Sequence, residues 1–498
     1  MQLDKDLFSV QEARQLVVQA KKAQELLAEM STAQIDNIVE HMARTVSKYA
    51  EELAKMTQQE TGFGKWEDKT VKNLFASQHV YEYIKDMKVL GIIEENFQEK
   101  TMDVGVPVGV ICALIPSTNP TSTAIYKTLI AIKAGNGIVF SPHPNARECS
   151  KRTIEILRNA AVEAGAPEGI VGYLKNLSLP GTKELMHHKD IAMILATGGE
   201  AMVRAAYASG KPTISGGPGN GPAFIERSAN INQAVRHIVE SKTFDNGVIC
   251  ASEQSIIVEE FILAEVKQEL LHHRAYFMTK VESDQLGKYL LRSNGMINAE
   301  VVGKPATFLA EKAGFNVPAG TTVLISEQDN CPISYTNPYS REKLCPVLAF
   351  YVEKNWEAAC ARCIELLTNE GKGHTLVIHT QNEEVVREFA LHKPVYRMLV
   401  NTPAALGGIG ATTNIAPALT LGCGAAGNGS SSDNVSPFHL VNIRKVGYGV
   451  RELSQLRPDV GSVSSPISGI NNGLNSTHND ELVDVLQKLL VSLSEDEA

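Results

Sequence analysis

The stretch Ser241–Gln254, SKTFDNGVICASEQ, holds the residue types best suited to covalent chemistry. Cys250 follows Gly247-Val248-Ile249 and precedes Ala251, Ser252 and Glu253. A cysteine after a glycine turn, at the junction of two segments, can act as a nucleophile on an electron-poor carbon. It can equally be a small buried hydrophobe, the commoner fate of a cysteine, and spacing alone leaves both readings open. Other candidates are weaker. Gly422–Gly427 spells GCGAAG and matches G-x-G-x-x-G, but the loop-like run NGSSSDN follows where a dinucleotide loop requires a helix. Cys360 and Cys363 form a C-x-x-C inside the helical run Asn355–Leu367 with no second pair, which speaks against a metal or redox motif. His187-His188 and His272-His273 lie at polar helix ends, and no spacing suits zinc.

The elements that must position Cys250 are read from periodicity. From Val10 to about Asp86 apolar residues recur at three and four: Leu16, Val17, Ala20, Ala23, Leu26 and Leu27, then Ile35, Ile38, Val39, Met42 and Val46. From Met102 the chain changes character, and DVGVPVGVICALIPSTNP reads as a strand running into a turn. Strand-like and helix-like segments then alternate. Gly137–Phe140 precedes a helix starting near Asn145, and Ile191–Leu195 precedes one from about Gly199 to Ser209. Pro222–Ile225 leads to a helix near Asn230, and Ser255–Val258 to Phe261–His272. Leu348–Val352 leads to a helix near Trp356, and His374–His379 to one near Glu383. Repeated β-α units predict an α/β fold with mostly parallel sheets covered by helices, in two α/β domains divided near residue 240.

Composition bounds the function. The chain has 498 residues and a mass of 54.0 kDa, with 43% hydrophobic and 21% charged residues. That is a globular composition with room for about three domains. A net charge of -9 and a pI near 5.9 argue against a nucleic-acid-binding face. Eight cysteines are too sparse for a disulfide scaffold and favour a reducing cytoplasm. No run approaches the roughly 18 apolar residues of a membrane span, and the N-terminus lacks the apolar core of a secretory signal. Residues 457–479 are rich in Ser, Gly, Asn and Pro and read as a flexible linker. Beyond them DELVDVLQKLLVSLSEDEA places Leu482, Val483, Leu486, Leu489, Leu490 and Leu493 on one helical face. Such a helix packs on its own protein or a neighbouring subunit, or docks on a partner groove.

TFDNGVICASEQ resembles the catalytic-cysteine segment of the aldehyde dehydrogenase superfamily, specifically its CoA-acylating branch, and other segments resemble that family's in order. Ile115-Pro116-Ser117-Thr118-Asn119-Pro120 is similar to the segment that supplies an oxyanion-hole asparagine. Phe140-Ser141-Pro142-His143-Pro144 resembles the turn at the cofactor's adenosine ribose, and Ala196-Thr197-Gly198-Gly199 the turn leading to the helix over its pyrophosphate. Ser215-Gly216-Gly217-Pro218-Gly219-Asn220 resembles the glycine loop facing the cysteine, and Glu342-Lys343-Leu344-Cys345-Pro346 the E-x-x-x-P motif whose glutamate holds the nicotinamide ribose. Gly407–Gly410 and Leu421–Gly424 resemble late loops of the acylating branch.

The resemblance spans about residues 8–452 and implies Cys250 and Asn119 as catalytic residues. It implies Ser141, His143, Thr197, Gly198, Gly199, Gly217 and Glu342 as cofactor-binding residues. The implied organisation is a cofactor domain of residues 1–89 and 108–217 and a catalytic domain of 218–430. Residues 90–107 and 436–452 would form an oligomerisation element, followed by a linker over 453–479 and an amphipathic helix over 480–498.

The implied chemistry is addition of the cysteine to an aldehyde, loss of hydride to NAD, and a thioester on Cys250 that passes to coenzyme A. Hydrolytic members keep a glutamate, as in E-L-G-G, as general base for water; that position here is Ile214, which cannot take a proton. Acyl-CoA from acetaldehyde or propionaldehyde is therefore the expected product. The alternatives are a hydrolytic enzyme served by another carboxylate such as Glu253, an acylating enzyme for sulfoacetaldehyde or succinate semialdehyde, and a scaffold that keeps the fold without the activity. Ser141 and Pro144 replace the lysine and glutamate of K-P-x-E, which leaves NADP open beside NAD. A homodimer or homotetramer is implied, and the tethered tail helix is compatible with cargo addressed to the shell of a bacterial microcompartment.

Overall fold

Three sheets carry the strands of the computed structural model, which describes residues 4–292, 294–329 and 331–456. One is five-stranded, in the order Val171–Tyr173, Gly137–Ser141, Val110–Leu114, Ile191–Ala196, Thr213–Ser215, with every pairing parallel. The chain moves outward on one side of Val110–Leu114 and then crosses to the other. That reversal opens a crevice at the carboxyl ends of the strands, where open α/β sheets bind ligands.

The second sheet is seven-stranded and also parallel. Its order is Tyr276–Phe277, Leu324–Glu327, Val347–Glu353, Glu253–Glu259, Gly221–Ile225, Gly373–His379, Val395–Val400. Strands covered on both faces need no polar alternation. Val110–Leu114, Gly137–Ser141 and Glu253–Glu259 are buried throughout, which is why their sequences read as continuous runs.

The run from Met102 is two strands rather than one. Thr101–Pro107 lies between Gly91–Asn96 and Val441–Gly447 in a three-stranded sheet, and Val110–Leu114 is central in the five-stranded one. The break falls at Gly109, whose φ of +129° a side-chain-bearing residue rarely adopts. The N-terminal region is helical as its periodicity requires. Ser31 and Gln34 form a capping box on the helix Thr32–Ser47, which buries Ile35, Ile38, Val39, Met42 and Val46.

By contacts the chain divides into two units, Met1–Asn96 with Met102–Val446, and Phe97–Thr101 with Gly447–Ala498. Within the second, the Tyr448 N–H donates to the Lys100 carbonyl at 3.1 Å, and Leu453–Leu456 form a short helix. The rest of the expected linker and the amphipathic helix over 480–498 lie outside the described residues. Among the described residues no helix is long and apolar enough to cross a membrane.

Candidate active site

Cys250 sits in the turn between the helix Ile231–Thr243 and the strand Glu253–Glu259. The chain reaches it through three consecutive left-handed residues, Asp245 (φ 49°), Asn246 (φ 53°) and Gly247 (φ 77°). Left-handed backbone at non-glycine residues costs of order 1–3 kcal/mol each and persists only where the surroundings over-determine it. Here they do. The buried Asp245 carboxylate accepts from the Lys65 N–H at 2.7 Å, from Lys69 Nζ at 2.9 Å and from Lys72 Nζ. The Asn246 amide donates to the Gly303 carbonyl at 2.8 Å.

The sulfur has a partner that sequence reading missed. His374 Nε2 lies 3.2 Å from Cys250 Sγ, and His374 Nδ1 lies 3.0 Å from Thr375 Oγ1. Burial pushes the imidazole down to about 3, so it is neutral near pH 7. Enclosure by protein, with the Glu342 carboxylate as the next cause, pushes the Cys250 thiol up to about 12. The Thr375 hydroxyl can donate or accept, so both tautomers are served. With Nδ1 protonated, Nε2 can take the thiol proton; with Nε2 protonated, it can donate to a thiolate. The strand containing His374 was legible, but the available signal was only a histidine at the head of a buried strand after Gly371-Lys372-Gly373.

The glycine loop lies flush against the cysteine. A Cβ on Gly219 would fall 1.8 Å from the Cys250 carbonyl oxygen, and one on Gly217 would meet Cys423 Sγ at 3.0 Å. Glu342 Oε1 accepts the Gly219 N–H at 3.0 Å, so this glutamate buttresses the loop. Burial, followed by the Glu370 charge, pushes the Glu342 carboxyl up to about 8. The late loop also closes on this region: Gly216 and Gly422 form a bridge, and Arg397 donates to the Gly422 carbonyl.

Asn119 caps the helix Pro120–Lys133, with Pro120 as its first residue. Its Nδ2 is 3.5 Å from the Val248 carbonyl, two residues before the cysteine, and its Oδ1 accepts from Lys72 Nζ. Ile214 is a buried residue of Thr213–Ser215 and shares one apolar cluster with Ile249 and Cys250. Glu253 is fully buried, and its Oε1 is held by the Ala404 N–H at 2.8 Å.

At the switch point of the five-stranded sheet lies a cleft of about 590 Å³. Ser141, His143, Thr197, Gly198 and Gly199 all line it, whereas Gly217 and Glu342 are not among its lining residues. The cleft suits an anionic dinucleotide on three observations. It sits at the carboxyl ends of parallel strands. Gly199 caps the helix Glu200–Tyr207, whose N-terminal amides face an anion favourably. Thr197 Oγ1 is buried with no partner among the described residues.

The sequence profile of the aldehyde dehydrogenase family matches residues 6–285. The chain is 42% identical to the bifunctional aldehyde-alcohol dehydrogenase AdhE of Escherichia coli (strain K12) over 443 residues, 88% of this chain and 49% of that one. It thus spans about half the length of that relative. Two solved structures superpose along almost their whole length. A probable aldehyde dehydrogenase from Listeria monocytogenes EGD-e is 56% identical with a TM-score of 0.90, covering 91% of this chain and 100% of its own. An acetylating aldehyde dehydrogenase from Geobacillus thermoglucosidasius is 47% identical with a TM-score of 0.89, covering 91% and 99%. Because these likenesses span the turns that carry the cysteine as well as the sheets that hold the cleft, the chain belongs to the aldehyde dehydrogenase family.

Proposed function

We propose that the chain oxidises a short neutral aldehyde, acetaldehyde or propionaldehyde, to its acyl-CoA with NAD, reversibly, through a thioester on Cys250. The observation that carries the reading is the pairing of Cys250 with the neutral His374 at 3.2 Å, in a chain with Ile214 at the sequence position of the hydrolytic members' water-activating glutamate. Sγ bonds to the carbonyl carbon as His374 Nε2 takes the thiol proton, and the carbonyl π pair moves onto oxygen. Asn119 Nδ2 and the Cys250 N–H would donate to that oxygen; one such donor is worth roughly 3–4 kcal/mol. Ser141, His143, Thr197, Gly198 and Gly199 would hold NAD, with Gly217 and Glu342 shaping the loop at its reactive end. When bound, NAD supplies a nicotinamide that accepts the hydride. The oxygen lone pair then re-forms the carbonyl, leaving a thioester. The thiol of CoA, as substrate, attacks this thioester, and Cys250 leaves as a thiolate and recovers a proton.

Two carboxylates could replace CoA by activating water: Glu342, whose Oε1 accepts the Gly219 N–H, and Glu253, whose Oε1 accepts the Ala404 N–H and whose Oε2 has no partner among the described residues, which makes Glu253 the one to test. A charged aldehyde would want a free cation in the acyl pocket. Arg397 is the buried cation coupled to Cys250, but its donors are spent on Thr375 Oγ1, Asn434 Oδ1 and the carbonyls of Ser432, Gly373 and Gly422. That favours a neutral substrate over sulfoacetaldehyde or succinate semialdehyde. Assembly into a homodimer or homotetramer is supported by the largely exposed strands Gly91–Asn96 and Val441–Gly447. The tail helix, read from sequence, supports a cytoplasmic enzyme addressed to a microcompartment; removing residues after Arg457 should then abolish co-purification with shell protein.

The deciding experiment follows NADH formation from acetaldehyde and propionaldehyde with and without CoA and identifies the product. Acyl-CoA, with steady turnover only when CoA is present, is expected. Equal rates without CoA, with free acid as product, overturn the reading.

A further inference from the structure

We infer that Lys72 is a positioning residue that fixes the Asn119 amide with its NH2 toward the reacting oxygen and strengthens it as a donor. This rests on the thioester reading above and adds to it the group that orients the oxyanion donor.

An asparagine amide is ambiguous by itself, because its oxygen and nitrogen can exchange places by a half-turn. Only one orientation helps a developing oxyanion; the other aims a carbonyl at it. An ammonium removes the ambiguity, since it has three donors and no acceptor, so the amide atom facing it must be oxygen. Lys72 Nζ donates to Asn119 Oδ1 and to Asp245 Oδ2. The NH2 is thereby turned to the opposite side, where Nδ2 lies 3.3 Å from Thr118 Oγ1 and 3.5 Å from the Val248 carbonyl in the turn that leads to Cys250.

Lys72 is itself held firmly. It projects from the helix Trp66–Leu74 and is 2% exposed, with Asp245 at 0% and Lys69 at 3%. Lys69 Nζ bridges Asp245 Oδ2 at 2.9 Å and the Thr118 carbonyl at 3.0 Å, tying the cluster to the residue before Asn119. Gly64 makes room, because a Cβ there would meet Asp245 Oδ1 at 1.8 Å. Asp68 and Lys65 complete the cluster: Asp68 Oδ2 accepts the Asp245 N–H at 2.7 Å and lies 3.8 Å from Lys65 Nζ, so the charge nearest the amide oxygen is the Lys72 ammonium itself. A charge-assisted bond to Oδ1 polarises the amide and makes its N–H bonds better donors. Asp245 is also the first of the left-handed residues before Cys250, so one carboxylate fixes both the nucleophile's turn and the lysine that orients the oxyanion donor.

The test is a double-mutant cycle read in a single turnover. Aldehyde and NAD are mixed rapidly with the enzyme without CoA, and the NADH burst reports formation of the thioester. Lys72→Met is expected to slow the burst about 10- to 100-fold, less than the roughly 100- to 1,000-fold loss of a whole oxyanion donor. Burst amplitude and KM for NAD should change less than about twofold. In an Asn119→Ala background the same Lys72→Met change should alter the burst rate less than about twofold, because no amide remains to orient. Lys69→Met, which leaves the contact to Asn119, should cost less than Lys72→Met. If Lys72→Met does not fold, as judged by its melting curve, Lys72→Gln enters the same cycle; its side-chain N–H keeps a donor toward Oδ1 and should lose less than about fivefold. A penalty for Lys72→Met that is equal in both backgrounds, or for Lys72→Gln a loss beyond that bound that is equal in both, overturns the assignment while leaving the thioester reading intact. A wild-type enzyme without any burst overturns both.

Discussion

His374 Nε2 and Cys250 Sγ stand 3.2 Å apart, and both groups are in their neutral forms near pH 7. This is the reverse of a preformed thiolate–imidazolium pair. With the thiol pushed up to about 12, the thiolate fraction near pH 7 is about one in 10⁵. Alkylation of Cys250 by iodoacetamide should therefore rise about tenfold per pH unit between about pH 7 and 10, without a plateau. A plateau beginning in the acid range would mean a preformed ion pair. The proton must then leave during addition, so His374→Ala should slow thioester formation on the order of 100-fold near pH 7. The deficit should shrink as pH rises and solvent base takes over.

Glu253 offers a separate test of the hydrolytic alternative. Burial pushes its carboxyl up to about 7, and its Oε2 has no partner among the described residues. The folded-state value lies above the ordinary value of about 4.3, so the fold binds this proton more tightly than the unfolded chain. The corresponding stability is complete below the unfolded value and is lost as pH rises through about 7. Glu253→Gln keeps an acceptor for the Ala404 N–H and cannot ionise. Its melting temperature should match wild type below about pH 4 and exceed it by a few degrees near pH 9. Its CoA-free release of acid should equal that of wild type; a clear fall would identify Glu253 as the base for water.

Gly219→Ala probes the contact between the glycine loop and the nucleophile. The added methyl would sit 1.8 Å from the Cys250 carbonyl oxygen, a backbone atom with little freedom to retreat. Either the loop lifts, carrying its N–H away from Glu342, or the cysteine turn shifts. The expected cost is about 1–3 kcal/mol in unfolding free energy and more than tenfold in turnover. Retention of full activity would show that the loop is not held against the cysteine during the reaction.

The sheets were legible because buried parallel strands announce themselves as uninterrupted Val and Ile runs between helical periods. Cys250 is singled out in sequence by the resemblance of its segment, since its spacing alone leaves a nucleophile and a buried hydrophobe equally open. Its surroundings were not legible. His374 stands 124 residues from the sulfur it touches, and nothing local separates it from a half-buried strand histidine. Lys69 and Lys72 belong to WEDKTVKNL, which reads as a solvated helix face, yet both are buried against an aspartate more than 170 residues away. Charges that are buried only because a distant partner neutralises them leave no periodic trace. The run from Met102 misled for a different reason: one glycine at φ +129° divides apolar residues between two sheets without interrupting their pattern.

The strongest test of product choice is to restore the missing base. Ile214 shares an apolar cluster with Ile249 and Cys250, and Ile214→Glu places a carboxylate in that environment. Burial should raise its pKa toward neutrality, which suits a general base, while costing a few kcal/mol of stability. Release of free acid without CoA should rise at least about tenfold over wild type and increase with pH as the carboxylate ionises. Ile214→Gln supplies similar bulk and polarity without a base and should show no such rise. If Glu and Gln variants hydrolyse the thioester alike, water is excluded from Cys250 by shape rather than by lack of a proton acceptor, and the isoleucine is not what directs the acyl group to CoA.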